Sequence, residues 1–332
     1  MHLAERIELL DGYVARRYRG PSDHVAMAEV LGRSHEQVEG TELPTVEQLD
    51  VAYEHMHDCD PDTDIALVEH DGHVVAYSRA SWVDLGNSGR DCIVFTPTVP
   101  EHLGESLFVA LLTANEQHMR AWADASPPAR YRAYASRDRV DGPPSGEALW
   151  LEHMGYTATQ WGAALVRPHL NDIPIRVLPH GVEVRPVTEA QVRPILEAHW
   201  EAFRAEWDFR EATDSDFIES MEHAFRDESL WKVAWAGDTI VGQVKPYINT
   251  GENTRRGHLR GYTEFISTHR DWRNRGIAGA LLAMSLQELK DRGMTEAALG
   301  VDSNNPGGAF QLYTSLGFQV RSYEAVYTKP VD

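Results

Sequence analysis

A short run of basic and small residues, Arg273–Ala280, has the composition of a phosphate-binding turn. It reads RNRGIAGA and separates a strand predicted at Tyr262–Thr268, where polar and apolar residues alternate, from a helix predicted at Leu281–Leu289, where apolar residues recur at helical spacing. Small residues let a ligand approach the backbone, and the unpaired amides of a helix's first turn attract anions. Arg273 and Arg275 add donors suited to phosphate. The turn therefore predicts a pyrophosphate at the start of this helix.

The same residues also suit an ordinary strand-to-helix connection with solvated arginines, because a small glycine motif has low specificity. Two other phosphate signatures do not match. The chain has no GxxxxGK[ST] sequence, which excludes a P-loop. The spacing is also not GxGxxG with an acidic residue about 20 positions later, which argues against a Rossmann dinucleotide site.

Two segments together resemble the GNAT N-acetyltransferase superfamily. Arg273-x-x-Gly276-x-Ala278 is similar to that family's (Q/R)xxGx(G/A) acyl-CoA signature, and Asn305–Phe318, NPGGAFQLYTSLGF, is similar to its N…A…LYxxLGF segment. They occur in the family's order and at a similar separation, with a strand predicted between them at Ala297–Val301. The resemblance covers roughly the last 150 residues, which is about the size of one domain.

The resemblance implies that acetyl-CoA is the acyl donor and that its pyrophosphate lies on the helix start. The residues expected there are Arg273, Arg275, Gly276, Ile277, Ala278, Gly279 and Ala280. It also implies that the strand before the turn separates from the next strand, so that the backbone of Phe265, Ile266 and Thr268 binds the pantetheine arm. One of these amides would polarise the thioester carbonyl. Asn305 occupies the family's asparagine position, where its side chain bonds to pantetheine or caps the following helix.

Acetyl transfer from a thioester to an amine also needs a base for the ammonium and an acid for the departing thiolate. By family position Tyr313 is the expected general acid, although its ring also suits the core beside Phe318. Glu264 lies where several family members have a catalytic glutamate and is the first candidate for the base. His258 and Asp302 are alternatives, and a proton transfer relayed by water would need no single base.

The chain of 332 residues is too long for one domain of about 150 residues. Its two halves repeat one order of elements, since the hairpin predicted at 64–80 has a parallel at 230–244, and Trp150–Tyr156 has a parallel at Leu312–Phe318. We therefore predict an α/β fold (α+β, with a mixed sheet) of two tandem GNAT-like domains. Each would have a mostly antiparallel central sheet with helices on both faces. A single large, irregular α/β domain is the alternative.

Residues 1–170 are predicted to form a degenerate first domain, and residues 180–332 the GNAT domain with the acyl-CoA site, joined by a proline-containing linker. In place of the basic turn the first copy has VPEHLGES, with no arginine pair and with a glutamate that would repel pyrophosphate. Leu151 stands where the second copy has Tyr313. We expect the first domain to bind no CoA and to shape the substrate site or the domain interface. This architecture is similar to that of the mycothiol synthases.

The composition limits the classes of partner and the location that we expect for this protein. A net charge of −20 disfavours nucleic acid. The chain has no apolar run long enough for a bilayer, and its N-terminus lacks the pattern of a secretory signal, so we expect no membrane partner and a cytoplasmic location. Cys59 and Cys92 are too few for a disulfide framework or a four-ligand zinc site. His55, His57 and Cys59 alternate, but no second cluster completes a metal site, so no metal is expected.

The reactants are expected to be a CoA thioester and a primary amine of a small molecule. A protein N-acetyltransferase and a non-catalytic acyl-CoA sensor are the alternatives. The region that builds the acceptor pocket in the family combines aromatic rings with carboxylates, which suit either a cationic amine or a core stripe with solvated acids. Its residues are Trp200, Glu201, Phe203, Glu206, Trp207, Asp208 and Phe209.

Overall fold

The computed structural model describes residues 1–8, 11–36, 38–56, 58–85, 89–125, 128–137, 144–204, 211–302 and 308–331. The chain divides into two compact units, Met1–Ala163 with Ser322–Asp332 and Ala164–Arg321. Each unit is a mostly antiparallel sheet with packed helices, which confirms the predicted α/β class. Several predicted site residues lie outside the described residues: His57, Glu206, Trp207, Asp208, Phe209 and Asn305.

The first unit contains five successive strands and most of the helices of the first half. Its elements are β1 (Tyr13–Arg17), α1 (His24–Ser34), α2 (Val46–Glu54), α3 (Pro61–Asp64), β2 (Ile65–His70), β3 (His73–Asp84), β4 (Arg90–Phe95), α4 (Glu105–Ala125), β5 (Ala129–Arg137), α5 (Gly146–His153) and the start of β6 (Thr157–Arg167). The strand order is β1-β2-β3-β4-β5. The β4–β5 pair is parallel, and the other neighbouring pairs in this order are antiparallel.

The last strand of the chain, β12 (Gln319–Pro330), pairs antiparallel with β5 of the first unit, in a register that joins Tyr323 to Arg137 and Pro330 to Arg130. Ala325 and Tyr327 are fully buried in this pair. The internal repeat did not indicate this pairing. Between Arg167 and Glu183, where the linker was predicted, the chain forms neither helix nor strand.

The second unit repeats the order of the first. Its elements are β7 (Glu183–Val184), α6 (Glu189–Phe203), α7 (Asp214–Glu222), β8 (Lys232–Ala236), β9 (Thr239–Tyr247), α8 (Thr250–Arg256), β10 (Arg260–Thr268), α9 (Ile277–Asp291), β11 (Glu296–Asp302) and α10 (Ala309–Ser315). The strand order is β11-β10-β9-β8-β7. The β10–β11 pair is parallel, and the other three pairs are antiparallel.

Helices cover both faces of the second sheet. A β-carbon at Gly242 would lie 2.7 Å from Cγ2 of Ile277, so this position of β9 faces α9. The next residue, Gln243, donates from Nε2 to the carbonyl oxygen of Ile195 in α6 at 2.9 Å. Because successive residues of a strand point to opposite faces, α6 and α9 lie on opposite sides of the sheet.

Helix α9 packs through the stripe that its sequence predicted. The members of this stripe have 0% exposure: Leu281, Leu282, Ser285, Leu286 and Leu289. The helix approaches β10 closely, because a β-carbon at Gly261 would lie 2.4 Å from Cδ2 of Leu289. The glycine is therefore needed for the distance between helix and sheet.

Replacing Gly261 with alanine should lower the free energy of unfolding by about 1–3 kcal/mol, because an added methyl group must displace the enclosed Leu289. Urea denaturation of both proteins measures the difference. Gly104→Ala is the matched control: a β-carbon there meets no heavy atom within 4 Å, so a change within about 0.5 kcal/mol is expected. Equal midpoints for Gly261→Ala and the wild type would contradict this packing argument.

Candidate active site

Strands β10 and β11 pair at their beginnings and then separate. Their parallel register runs from Arg260–Tyr262 to Glu296–Ala298, although both strands extend further. Past this point the side chain of Glu264 bridges the strands, since its Oε1 accepts a hydrogen bond from the amide of Gly300 at 2.8 Å. The separation that the family resemblance implied is therefore present, and backbone groups of β10 beyond the paired part have no ladder partner on β11.

A β-bulge lies where β10 leaves its partner. The register with β9 shifts between Glu264 and Ser267, so that Phe265 and Ile266 face a single residue, Val244. Phe265 has a φ of 52°, a conformation that a bulky residue rarely adopts and that costs about 1–3 kcal/mol. A bulge also leaves its extra residue unpaired. The backbone predicted to bind pantetheine is thus the irregular part of the strand.

Helix α9 begins without a side-chain cap. Its N-cap is Gly276, with a φ of 81°, and its first turn contains no acidic residue. The amide of Ala280 donates to the carbonyl oxygen of Gly276 at 3.1 Å, and the amides before it, from Ile277 to Gly279, have no partner within the helix. A β-carbon at Gly276 would meet no heavy atom within 4 Å, so the space before the helix is open. These amides form a site suited to an anion.

Two exposed arginines flank this helix start. Arg273 donates from Nη2 to the carbonyl oxygen of Ala202 at 2.8 Å and from Nε to that of Thr268 at 3.4 Å. Arg275 donates from Nη2 to the carbonyl oxygen of Asp271 at 3.0 Å. Because these partners are uncharged carbonyls, the positive charge of both side chains remains to attract an anion.

Tyr313 on α10 is buried, with 6% exposure, and its ring centroid lies 6.2 Å from that of Phe318. Burial raises the pKa of its phenol well above the ordinary value, and the charge of Glu264 raises it further. The phenol therefore keeps its proton at neutral pH, as a general acid must. The ring packs in the core and also lies near Glu264, so the two interpretations of Tyr313 are compatible.

His258, an alternative base, lies apart from this group. It precedes β10, where its Nδ1 is 3.3 Å from Oε1 of Glu296 and its Nε2 is 3.7 Å from Oε1 of Glu252. Burial lowers its pKa. Of the two, it is Glu264 that lies beside the separated strands and near Tyr313.

A buried lysine adjoins the bulge, and no sequence motif indicated it. Lys245 of β9 pairs in register with Glu264, and its Nζ lies 4.6 Å from the ring centroid of Phe265 and 5.5 Å from that of Trp231. Burial lowers its pKa to about 7. On α6, burial and then the charge of Lys245 lower the pKa of His199 to about 3. The available signal was a single lysine within the apolar strand IVGQVKPY.

The predicted acceptor region contains a cavity of about 390 Å³ along α6 and α7. Trp200 lines it and packs against Phe217, with ring centroids 4.8 Å apart, as part of a small apolar cluster. Glu201 forms an ion pair with Arg204 at 2.8 Å, and Glu211 pairs with the same arginine. Trp200 is thus a packing residue, and these two carboxylates share one arginine.

The cysteines are buried thiols. Burial raises the pKa of Cys59 to about 12 and that of Cys92 to about 11. Both thiols therefore stay protonated at neutral pH. Within the described ranges, no helix has the length and apolar character needed to cross a membrane.

Comparison with known proteins gives a family match for most of the second unit. Residues 192–318 match the model of the Acetyltransferase (GNAT) family, a range that includes the bulge, the start of α9 and Tyr313. The part of the chain that carries the candidate site therefore matches the GNAT acetyltransferases. A mycothiol acetyltransferase from Thermobispora bispora is 25% identical to it over 230 residues, which are 68% of this chain and 71% of that protein.

Two solved structures extend the likeness in fold to the whole chain. A GCN5-related N-acetyltransferase from Sphaerobacter thermophilus has a TM-score of 0.70 and 24% identity and covers 97% of both chains. A tandem GNAT protein from the clavulanic acid biosynthesis pathway has a TM-score of 0.66 and 14% identity, covering 96% of this chain and 98% of that one. The predicted tandem GNAT fold is confirmed.

Replacing Lys245 with methionine should stabilise the protein, more at pH 7 than at pH 9.5. The folded-state pKa is lowered from 10.5 to about 7, so between these values the unfolded chain binds more protons and the stability of the wild type rises with pH. Each unit of pKa depression corresponds to about 1.4 kcal/mol, so a gain of a few kcal/mol is expected at pH 7. Urea denaturation at both pH values measures it.

Lys232→Met is the control for this stability experiment. Lys232 lies on the adjacent strand β8, where its Nζ is 3.1 Å from Oε2 of Glu288. Losing this partly exposed ion pair should destabilise the protein by at most about 1 kcal/mol. A gain from Lys245→Met that is the same at pH 7 and pH 9.5 would contradict the assignment of a depressed pKa.

Proposed function

We propose that the second unit transfers an acetyl group from acetyl-CoA to a primary amine of a small molecule. One observation carries this proposal: the uncapped start of α9 lies directly after a strand, β10, that has separated from its parallel partner. The first feature suits a pyrophosphate and the second an extended arm that completes the ladder. Together they suit a ligand with a phosphate group at one end and a long polar chain.

In this proposal the pyrophosphate accepts hydrogen bonds from the backbone at Gly276, Ile277, Ala278, Gly279 and Ala280. Arg273 and Arg275 contribute positive charge beside it, since their present hydrogen bonds go to backbone carbonyls. The pantetheine arm lies along β10 at Phe265, Ile266 and Thr268, with an amide of the bulge directed at the thioester carbonyl. Asn305 remains a predicted ligand.

The transfer then needs two proton movements. Glu264, as the proposed base, takes a proton from the substrate ammonium, and the resulting amine attacks the thioester carbonyl carbon. A backbone amide stabilises the oxyanion while the carbon–sulfur bond breaks. Tyr313 gives its proton to the departing thiolate, a role supported by its burial and by the raised pKa of its phenol.

The first unit is proposed to bind no CoA. Glu105 lies in the first turn of α4, where its charge opposes an anion. In addition, β3 stays paired with the segment after β4: Thr98 bridges to Ala76, and the amide of Val99 donates to the carbonyl oxygen of Val75 at 2.9 Å. The Val99 amide and the Val75 carbonyl are therefore already used within the first unit.

A small-molecule acceptor is supported by the names of the relatives, one a mycothiol acetyltransferase and one a protein of clavulanic acid biosynthesis. No observation in the described residues favours a protein acceptor. Cytoplasmic location stays a prediction.

Titration calorimetry should show one equivalent of acetyl-CoA bound by the wild type. Gly276→Glu should weaken binding about 100-fold or more, because it places a carboxylate where the pyrophosphate is proposed to lie. Gly276→Asn tests the backbone separately, since asparagine tolerates a positive φ without adding charge, and should bind within about tenfold of the wild type.

The charge-matched control for calorimetry is Gly104→Glu. This residue precedes α4 of the first unit, and a β-carbon there also meets no heavy atom within 4 Å. Its acetyl-CoA affinity should equal that of the wild type. If Gly276→Glu binds as tightly as Gly104→Glu, the start of α9 is not the pyrophosphate site.

Tyr313→Phe should lower kcat by about 100-fold or more while the Kd for acetyl-CoA stays within about twofold, because a general acid acts on the leaving group and not on ground-state binding. Mass spectrometry of acetylated products from a panel of small amines identifies an acceptor and then measures kcat. Tyr323→Phe, on β12, is the control and should retain full activity. A Tyr313→Phe protein with unchanged kcat would leave this tyrosine a packing residue.

A further inference from the structure

Lys245 brings an amino group into the second unit without a countercharge. The residue is 5% exposed, and in the described parts of the chain no carboxylate or hydrogen-bond acceptor contacts its Nζ. Its neighbours are the rings of Trp231 and Phe265, which offer only a cation–π attraction. A buried, unpaired ammonium is costly, and groups held at such a cost concentrate at functional sites.

His199 presents a second nitrogen without a partner beside the same ring. Its Nδ1 is enclosed and, within the described residues, has no hydrogen-bond partner. The imidazole centroid lies 5.8 Å from that of Phe265 and 4.9 Å from that of Phe203. An uncharged imidazole still donates one N–H. Lys245 and His199 therefore offer an amino group and an uncharged imidazole N–H beside the same aromatic ring, that of Phe265.

This pair of donors adjoins the proposed transfer site. Phe265, whose ring both donors adjoin, is the positive-φ residue of the bulge and is 44% exposed. Lys245 lies opposite Glu264 in the ladder. It also shares a strand face with Gln243, which contacts α6, so the donors lie on the face away from α9. Both donors therefore adjoin the bulge on the side of the sheet opposite α9.

The three acids described near this pair have other partners. The Glu264 carboxylate accepts a hydrogen bond from Gly300 across the separated strands. On α6, Glu197 pairs with Arg193 at 3.0 Å and Glu201 with Arg204. Although the net charge of the chain is −20, the described contacts of Lys245 and His199 are with aromatic rings and not with carboxylates.

We propose that Lys245 and His199 form a subsite that binds a carboxylate carried by one of the two reactants. The two oxygens of a carboxylate match one ammonium and one neutral N–H, whereas a phosphate dianion calls for more donors. The subsite presupposes the acyl transfer proposed above. The carboxylate belongs either to the acceptor, which is then an amino acid or a similar acidic amine, or to the far end of the acyl chain.

Nuclear magnetic resonance of lysine side chains tests the subsite without turnover. The chain has four lysines, Lys232, Lys245, Lys290 and Lys329, so ¹³Cε labelling gives few signals, and Lys245→Met assigns the one of interest. In the complex with free CoA, glycine, β-alanine or 4-aminobutyrate should raise the titration midpoint of Lys245 by about one unit or more, and the matching amides should not. In a second arm without any amine, the titration midpoint of Lys245 is compared between the succinyl-CoA and butyryl-CoA complexes, which tests whether the carboxylate belongs to the acyl chain.

The two arms identify the source of the carboxylate. A shift with an amino acid assigns it to the acceptor, and a shift with succinyl-CoA assigns it to the donor. If no carboxylate in either arm moves the Lys245 midpoint more than its uncharged partner, the subsite is overturned. The calorimetry described above is a separate measurement, so loss of acetyl-CoA binding and loss of the carboxylate subsite are distinguishable.

Kinetics with the reactant identified in this way provide the second test. Lys245→Met should lower kcat/KM for the carboxylate-bearing reactant relative to its amide by about 10- to 100-fold, as expected for one charge-assisted hydrogen bond. Lys245→Arg should recover part of this preference, since arginine keeps the charge but cannot act as a base. Lys232→Met is the control. An unchanged preference in Lys245→Met, or an Lys245→Arg protein no better than Lys245→Met, counts against carboxylate binding.

Discussion

The end of pairing between β10 and β11 is the constraint on which the rest of the site depends. Two parallel strands that stayed paired would leave no backbone group free for a ligand, because each amide and carbonyl would be used in the ladder. In this protein the register stops at Tyr262 and Ala298, and Glu264 joins the strands through a side chain instead. In the same stretch of β10, a bulge against β9 places Phe265 in a strained conformation and re-aims the residues that follow it.

Helix α9 packs closely on the sheet, so the sheet sets the position of the proposed anion site at the start of this helix. It can approach β9 and β10 only because Gly242 and Gly261 carry no side chain, and its own first turn is kept free by the positive φ of Gly276. Gly279 likewise allows α9 to approach α10, since a β-carbon there would lie 3.2 Å from Cδ1 of Leu312. The helix that bears Tyr313 is thus held at a distance set by small residues.

The two halves of the chain share a fold but have different residues at equivalent positions. Arg79 and Lys245 are each the seventh residue of the second hairpin strand, and both lie among aromatic rings. Opposite them in the ladder, the first unit has Phe95 and the second has Glu264. The carboxylate that bridges the separated strands, like the basic turn, therefore occurs in the second unit, and this asymmetry is why acyl transfer is assigned to it.

The sequence by itself indicated the family resemblance of the second half, the tandem α/β fold and the strand–turn–helix of the proposed anion site, because these follow from local periodicity and from residues close together in the chain. Leu281 and Leu289, for example, were predicted to share a helix face and are both fully buried. Only the tertiary structure decided the pairing of β12 with β5 and the pocket of Lys245 and His199. Both features join residues that are far apart in the sequence. The apolar run around Lys245 predicts a strand, but it does not indicate which groups the lysine amino group contacts. Burial, which lowers the pKa of that lysine, is a property of the packed chain.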